Sequence, residues 1–172
     1  MHTHRNESSH NLPLKNKNMK TGTAILAAGC FWHPEEVFSN VFGVVSTEVG
    51  YIDGKIKNPN YEKVCGGNTG HVEATKIIFN PKKISYRDLL EIFWEVHNPT
   101  QKNRQGVDVG KQYNSVIFYT DQEQMEIAEE SKREKQIKFG GKIVTEIKKA
   151  TEFYPAEEYH QKYFEKQKRG LF

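Results

Sequence analysis

The sequence predicts a two-layer α/β sandwich (α+β) around a mixed sheet, on three observations. Short apolar runs alternate with amphipathic helical stretches along the 172 residues. Gly, Pro, Asn and Asp punctuate the joins. The resulting order is strand, helix, strand, strand, helix, strand, helix, strand and a final helix. Its first six elements have the split βαβ order of a ferredoxin-like βαββαβ core, to which the chain adds further elements at its ends.

Each element has its own justification. Ala24-Ile25-Leu26-Ala27-Ala28 reads as a buried strand, Gly29 as a sharp turn, and Val37, Phe38, Val41 and Phe42 as the apolar positions of a helix. Pro34 fits a first helical turn, where no donor is missed, so that helix should start near Phe31 to His33. Val44 to Tyr51 reads as a strand with Val45, Val49 and Tyr51 on one face, and Asp53-Gly54 as a turn. Lys57 to Gly70 has neither helical nor strand period and is long for a loop. Such loops are functional or disordered, and Tyr61, Val64 and Cys65 argue for packing.

His71 to Asn80 reads as a strand closed by Asn80-Pro81, with Glu73, Ile77 and Phe79 on one face and Val72, Ala74 and Ile78 on the other. Ser85 should cap a helix through His97. Tyr86, Leu89, Leu90, Phe93 and Val96 form its apolar stripe, which leaves Trp94 at the margin. A second polar loop, Asn98 to Gln112, runs into a strand from Tyr113 to Tyr119. Asp121 should cap a charged helix that ends at Gly140-Gly141. Ile143 to Lys149 then reads as the last strand, and Pro155 to Lys168 as a short amphipathic helix carrying Tyr159, Tyr163 and Phe164.

Composition narrows the function. Arg5, Lys15, Lys17 and Lys20 against Glu7 give the first twenty residues a net charge of +3, which is the whole of the chain's +3. A neutral domain carries no nucleic-acid footprint. Residues 1–20 are polar and poor in large apolar side chains, so they are expected as a disordered tail, and 21–172 as a single domain. No stretch approaches the ~20 apolar residues of a membrane span. A lipoprotein reading of Leu26 to Cys30 is set aside, because the apolar run is shorter than the roughly 7–15 residues of a signal-peptide core. The chain has 2 cysteines, Cys30 and Cys65, and 7 histidines, of which His2, His4 and His10 lie in the tail. No zinc site is expected from that scatter. Few cysteines point to a reducing cytoplasm.

Two residues carry candidate chemistry. Cys30 stands between the end of a strand and the start of a helix, where free N–H groups and the helix dipole favour an anion. Its thiol is therefore expected to ionise below its usual pKa of about 8.5. The plain alternative is a small buried hydrophobe. Phe31 and Trp32 are either core or the walls of an apolar pocket around it. Glu73 lies in a strand apolar on both faces. Burial would raise its pKa and make it a proton donor near neutral pH. In an edge strand it would sit in water instead.

Four stretches extend the pattern. They are Gly29-Cys-Phe-Trp32, Asn-Pro-x-Tyr-x-x-Val-Cys-x-Gly at Asn58 to Gly67, Thr-Gly-His-x-Glu at Thr69 to Glu73, and Asn-Arg-Gln-Gly-x-Asp-x-Gly-x-Gln-Tyr at Asn103 to Tyr113. Together with Phe153 to Tyr163 they closely resemble the peptide methionine sulfoxide reductase A family, in order and without large gaps, from about Thr21 to Phe164.

The resemblance implies a thiol-dependent enzyme that reduces methionine S-sulfoxide, free or in oxidised proteins, and so repairs them. In it Cys30 matches the nucleophile that passes through a sulfenic acid, and Glu73 the acid that protonates the sulfoxide oxygen. Phe31 and Trp32 match the methyl pocket, Tyr61 and Tyr113 the hydroxyls on the oxygen, and Asp108 a supporting carboxylate. No bound cofactor and no metal are implied. An external thiol such as thioredoxin, glutaredoxin or a small thiol is the expected reductant. The protein is expected to be monomeric, with no nucleic-acid or membrane partner.

Two departures stand out. The chain ends Lys168-Arg-Gly-Leu-Phe172 without the resolving cysteines many members carry, so either Cys65 resolves Cys30 or an outside thiol acts directly. His33-Pro34 stands where the family usually has Gly, and His33 is expected on the surface. Rival readings are a silent methionine-sulfoxide binding module and a thiol redox sensor.

Overall fold

The computed structural model describes residues 19–170; the expected tail, apart from its last two residues, lies outside them. Three antiparallel strands and their crossovers build the centre of the sheet: β1 (Gly22–Ala28), β2 (Val44–Ile52) and β3 (Val72–Phe79), with α1 (Trp32–Ser39) between the first two. A five-residue helix, α2 (Tyr61–Cys65), interrupts the loop before β3. Next come α3 (Tyr86–Val96), the two-residue strands β4 (Arg104–Gln105) and β5 (Asp108–Val109), and β6 (Ser115–Tyr119). The chain closes with α4 (Gln122–Lys138), β7 (Glu146–Lys149), β8 (Tyr154–Pro155) and α5 (Tyr163–Lys168).

The main sheet has the order β7-β6-β1-β3-β2-β8. Its inner four strands, β6-β1-β3-β2, pair antiparallel, which is the ferredoxin-like arrangement, and β7 adds parallel to β6. The mixed sheet and the two-layer class are as expected. The layer of α1, α3 and α4 packs Phe38, Leu89, Leu90, Phe93 and Ala128 onto Leu26, Ile77, Phe79 and Ile117. Behind the sheet Ile25, Ala27, Ile52, Val72, Ala74, Val116 and Phe118 form a second cluster, against which Ala150 and Phe153 pack. β1 and β3 are therefore buried on both faces, which is why β1 reads as an almost continuous apolar run and β3 carries apolar residues on both of its faces.

The differences from expectation are local. Val45 is exposed because the register of β2 on β3 shifts between Val44 and Ser46, and a bulge turns the side chain out. The loop at Lys57 to Gly70 does contain a helix: Asn60 caps it, its side chain accepting from the Lys63 amide at 2.9 Å. Five residues are too few for a visible 3.6-residue period. Trp94 is buried, and its indole N–H donates to Ser131 of α4 at 2.9 Å, so α3 has a second packing partner that widens its inner face. The expected strand at Tyr113 begins two residues later, because Lys111–Tyr113 forms a 3-10 turn. The last strand, expected from Ile143, is paired only over Glu146–Lys149. The expected helix at Pro155 to Lys168 is broken into β8, a 3-10 turn at Glu158–His160, and α5.

The break occurs at Lys162, which adopts a left-handed conformation (φ 53°). Buried Glu35 of α1 holds it there. Glu35 accepts from the Lys162 amide at 2.6 Å, from its ammonium at 3.1 Å and from the Thr47 hydroxyl at 2.9 Å. One carboxylate thus ties α1, β2 and the C-terminal segment together. Glu35→Ala would strand the Lys162 donors. With the ammonium a third exposed, the cost should lie at the low end for a broken buried pair, about 3 kcal/mol of unfolding free energy in a urea titration.

Candidate active site

Cys30 follows β1 through Gly29, which takes a φ of +85°. Only glycine does this without strain, and a Cβ here would also lie 2.6 Å from Cγ of Gln105. Gln105 is fixed over the turn by a reciprocal pair with Asn98: the Asn98 amide donates to its Oε1 at 2.9 Å and its Nε2 donates to the Asn98 carbonyl at 2.8 Å. The sharp exit places Cys30, half buried, one residue before the helix start at Phe31.

Glu73 comes from the neighbouring central strand. It is 1% exposed, and its Oε1 accepts from the Phe31 amide at 3.3 Å. The edge-strand reading is excluded, since β3 is bracketed by β1 and β2. Among the described residues Oε2 has no hydrogen-bond partner. A buried carboxylate with one weak bond is costly, so the group keeps its proton. Burial, reinforced by the Asp108 charge and opposed by the Phe31 N–H, raises its pKa from 4.5 to about 8.

The expectation for Cys30 is overturned. Its pKa is pushed up to about 12, first by burial and then by the charges of Glu73, Asp108 and Cys65; the Trp32 N–H at the helix start opposes this and loses. The sequence shows the helix end but hides the acids that the fold gathers around it. At neutral pH the site therefore rests with both Cys30 and Glu73 protonated.

The remaining candidates converge on the same spot. Asp108, on β5 opposite Gln105, is close enough to raise the proton affinity of Cys30, Glu73 and Tyr113. Tyr113, in the 3-10 turn, and Tyr61, at the start of α2, are partly exposed phenols. Burial first, then the surrounding acids, holds Tyr113 protonated; for Tyr61 the hydrogen bond to the Cys65 sulfur is the larger cause. Cys65 is exposed at the end of α2, and both cysteines are free thiols. Phe31 is buried with Val49, Tyr51, Val64 and Ala156, and Trp32 and Tyr61 pack against that cluster. Trp32 stacks on Tyr163 with ring centroids 3.7 Å apart. His33 is exposed, as expected.

Three residues of the site were not singled out from sequence. Tyr51, fully buried, donates to Glu157 Oε1 at 3.1 Å. Glu157 Oε2 accepts from the Tyr61 amide and the Tyr159 hydroxyl, each at 3.2 Å. His160 accepts the indole N–H of Trp32 at 3.0 Å. The available sign was the density of acid, Tyr and His from Glu157 to Tyr163, which reading the segment as one amphipathic helix concealed.

The Glu73 pKa has a testable sign. The folded value of about 8 exceeds the ordinary 4.5, so the proton stabilises the fold; this contribution is complete below about 4.5 and is lost as pH climbs through about 8. Unfolding free energy should fall from about pH 5 to about pH 8 and level off above that in the native protein, and fall less in Glu73→Gln, which is neutral throughout. Parallel slopes would place the Glu73 titration elsewhere.

Comparisons with known proteins agree with this geometry. Residues 22–172 match the family described as peptide methionine sulfoxide reductase. A relative from Methanococcus maripaludis, named peptide methionine sulfoxide reductase MsrA, is 56% identical over 146 residues, covering 85% of this chain and 93% of that protein. Among solved structures, reduced Mxr1 of Saccharomyces cerevisiae superposes with a TM-score of 0.84 at 37% identity, covering 88% of each chain. Mxr1 in complex with Trx2 gives 0.62 at 25% identity, covering 88% of this chain and 91% of that one. With its sequence matched from β1 to the C-terminus and its fold shared with Mxr1, the chain belongs to the peptide methionine sulfoxide reductase family.

Proposed function

We propose that this protein reduces methionine S-sulfoxide, free and in oxidised proteins, with Cys30 as the nucleophile and Glu73 as the proton donor. The observation that carries the assignment of roles is the Glu73 carboxyl, buried, with one oxygen bonded to the amide that follows Cys30 and the other unpartnered. A sulfoxide oxygen is the acceptor that this spare O–H lacks. Tyr61 and Tyr113 supply two further phenolic donors, while Phe31 and Trp32 form the apolar wall for the methyl group. Asp108 keeps the proton affinity of Glu73 high.

The proton balance follows from the resting state. Cys30 sulfur attacks the substrate sulfur as Glu73 passes its proton to the sulfoxide oxygen. The thiol proton of Cys30 goes to the carboxylate that Glu73 has become. The S–S bond so formed then breaks as the hydroxyl moves from the substrate sulfur to the Cys30 sulfur; its electron pair stays on the substrate, which leaves as a thioether, while Cys30 is left as a sulfenic acid and Glu73 is protonated again. A site that starts with both groups neutral needs no proton from water. The tension between an ionised thiol and a protonated acid disappears, because the thiolate exists only during attack.

The sulfenic acid needs a reductant. Two thiols return it to Cys30 with release of water and formation of a disulfide. Mxr1 has been captured with Trx2, which supports a thioredoxin-class donor here. Cys65 is the candidate resolving thiol, placed near enough to Cys30 for its charge to be felt there. Direct attack by an outside thiol is the other route. No described helix is long and apolar enough to cross a membrane. A monomer working in a reducing cytoplasm is the setting we favour.

Reduced protein mixed with about one equivalent of methionine S-sulfoxide, and no reductant, should yield methionine and an oxidised Cys30 in a single turnover. Mass spectrometry then separates the routes: a sulfenic acid with free Cys65 means an outside thiol, and a Cys30–Cys65 disulfide with loss of water makes Cys65 the resolving residue. Cys30→Ser should abolish methionine formation. Glu73→Gln should slow the chemical step about 10²–10⁴-fold with the fold intact. Turnover by the serine variant would sink the nucleophile assignment, and an unchanged glutamine variant would remove Glu73 as the acid.

A further inference from the structure

His160 is 1% exposed yet belongs to no element of the catalytic scheme above. It stands in the 3-10 turn at Glu158–His160, far in sequence from the rings it meets. Its ring centroid lies 5.2 Å from that of Phe31, 5.6 Å from Trp32 and 4.7 Å from Tyr61. One side chain thus contacts three of the four aromatic residues assigned to the substrate, all but Tyr113. A packing role would be served equally by Leu or Phe, but the hydrogen bond from Trp32 argues against an apolar filler.

Indole N–H is a donor and nothing else. The 3.0 Å contact from Trp32 Nε1 to His160 Nδ1 therefore requires a bare, accepting Nδ1, which fixes the ring as the neutral Nε2–H tautomer. Burial agrees, lowering the pKa of His160 below the ordinary value. The cost is visible at the other nitrogen: Nε2 is buried without a hydrogen-bond partner among the described residues, the nearest acid being Glu157 at 4.0 Å. A buried donor left unpaired is unfavourable and calls for a compensating use of the ring.

We propose that His160 is a positioning residue for the substrate pocket, its Nδ1 setting the plane and angle of Trp32 while its ring backs Phe31 and Tyr61. Trp32 is then fixed from two sides, by the stack on Tyr163 and by the bond to His160. Without that bond the indole keeps only ring contacts, the stack on Tyr163 and the edge of Phe164, neither of which fixes its N–H direction. The wall that tells a methyl group from a longer substituent, and one sulfoxide epimer from the other, would soften. Glu157 serves the same end from the same turn, since its carboxylate holds the Tyr61 amide.

This inference rests on the sulfoxide reductase reading, and the test separates the two. Steady-state kinetics with the S and R epimers of free methionine sulfoxide would be run on the native protein, His160→Leu, His160→Gln and His160→Asn. Asn retains an acceptor where Nδ1 stands, Gln places its amide where Nε2 stands, and Leu has neither. The Leu and Gln variants should raise KM for the S epimer and lower kcat/KM about tenfold, with a smaller ratio between epimers, and Asn should restore both to within about threefold. In a Trp32→Phe background, which has no N–H to give, His160→Gln and His160→Asn should no longer differ in kcat/KM.

Equal losses in Asn, Gln and Leu would reduce His160 to packing and overturn the proposal. So would wild-type kinetics in Gln and Leu. Should the Leu variant fail to fold, the contrast between Asn and Gln carries the same decision. A native protein that turns over neither epimer would instead sink the reductase reading itself.

Discussion

A single hydrogen bond joins the two halves of the chemistry. The Phe31 amide donates to Glu73 Oε1 at 3.3 Å, pinning a carboxyl from the centre of the sheet to the start of α1, immediately beyond Cys30. Both ends of that bond are fixed by requirements that have nothing to do with catalysis. β3 must lie between β1 and β2 to bury its two apolar faces, and Gly29 must turn the chain out of β1 in a conformation other residues avoid. Given those constraints, Glu73 is buried, and burial favours its protonated form. The acid is poised by the sheet, at a pKa of about 8.

The same crowding decides the state of Cys30. Helix N-termini favour thiolates by a few tenths to one kcal/mol per group, an effect of about 0.3–1 kcal/mol that fades within a turn. Against it stand burial and the nearby acids, and the sum is a thiol with a pKa of about 12. A nucleophile that is neutral at rest is less open to stray oxidants, because the thiolate is the form that oxidises. In the proposed reaction the thiol is activated only when a substrate oxygen draws the proton off Glu73 and leaves an adjacent base.

The sheet and its order were legible because burial on both faces imposes a purely apolar run at Ala24 to Ala28, and because Val72, Ala74, Ile77, Ile78 and Phe79 keep both faces of the next central strand largely apolar despite Glu73, Thr75 and Lys76. The capping residues were equally plain: Ser85 and Asp88 form a full capping box, and Asp121 accepts from the Gln124 amide. The individual site residues were found through motifs, and the structure brings every one of them to the end of β1. What sequence hid was relational. The exposure of Val45 depends on a bulge, the burial of Trp94 on Ser131 of a distant helix, and the pKa of Cys30 first on its burial by the fold and then on acids 43 and 78 positions away at Glu73 and Asp108. None of these leaves a trace in local periodicity.

The C-terminal segment is the largest of these hidden relations. Read along the chain it looks like an amphipathic helix, yet Lys162 takes a left-handed conformation and the helix starts only at Tyr163. The reason lies at Glu35, which is buried and needs the Lys162 amide and ammonium as much as Lys162 needs an acceptor. Satisfying that carboxylate stops a continuous helix and leaves Glu157 to His160 as a tight turn. The turn, in contrast to a helix, lets Glu157 reach the Tyr61 amide while His160 meets the indole of Trp32. A buried carboxylate on α1 therefore shapes the segment that packs against Trp32 and Tyr61, so that one residue, Lys162, links the anchoring of the C-terminal segment to the placement of both rings.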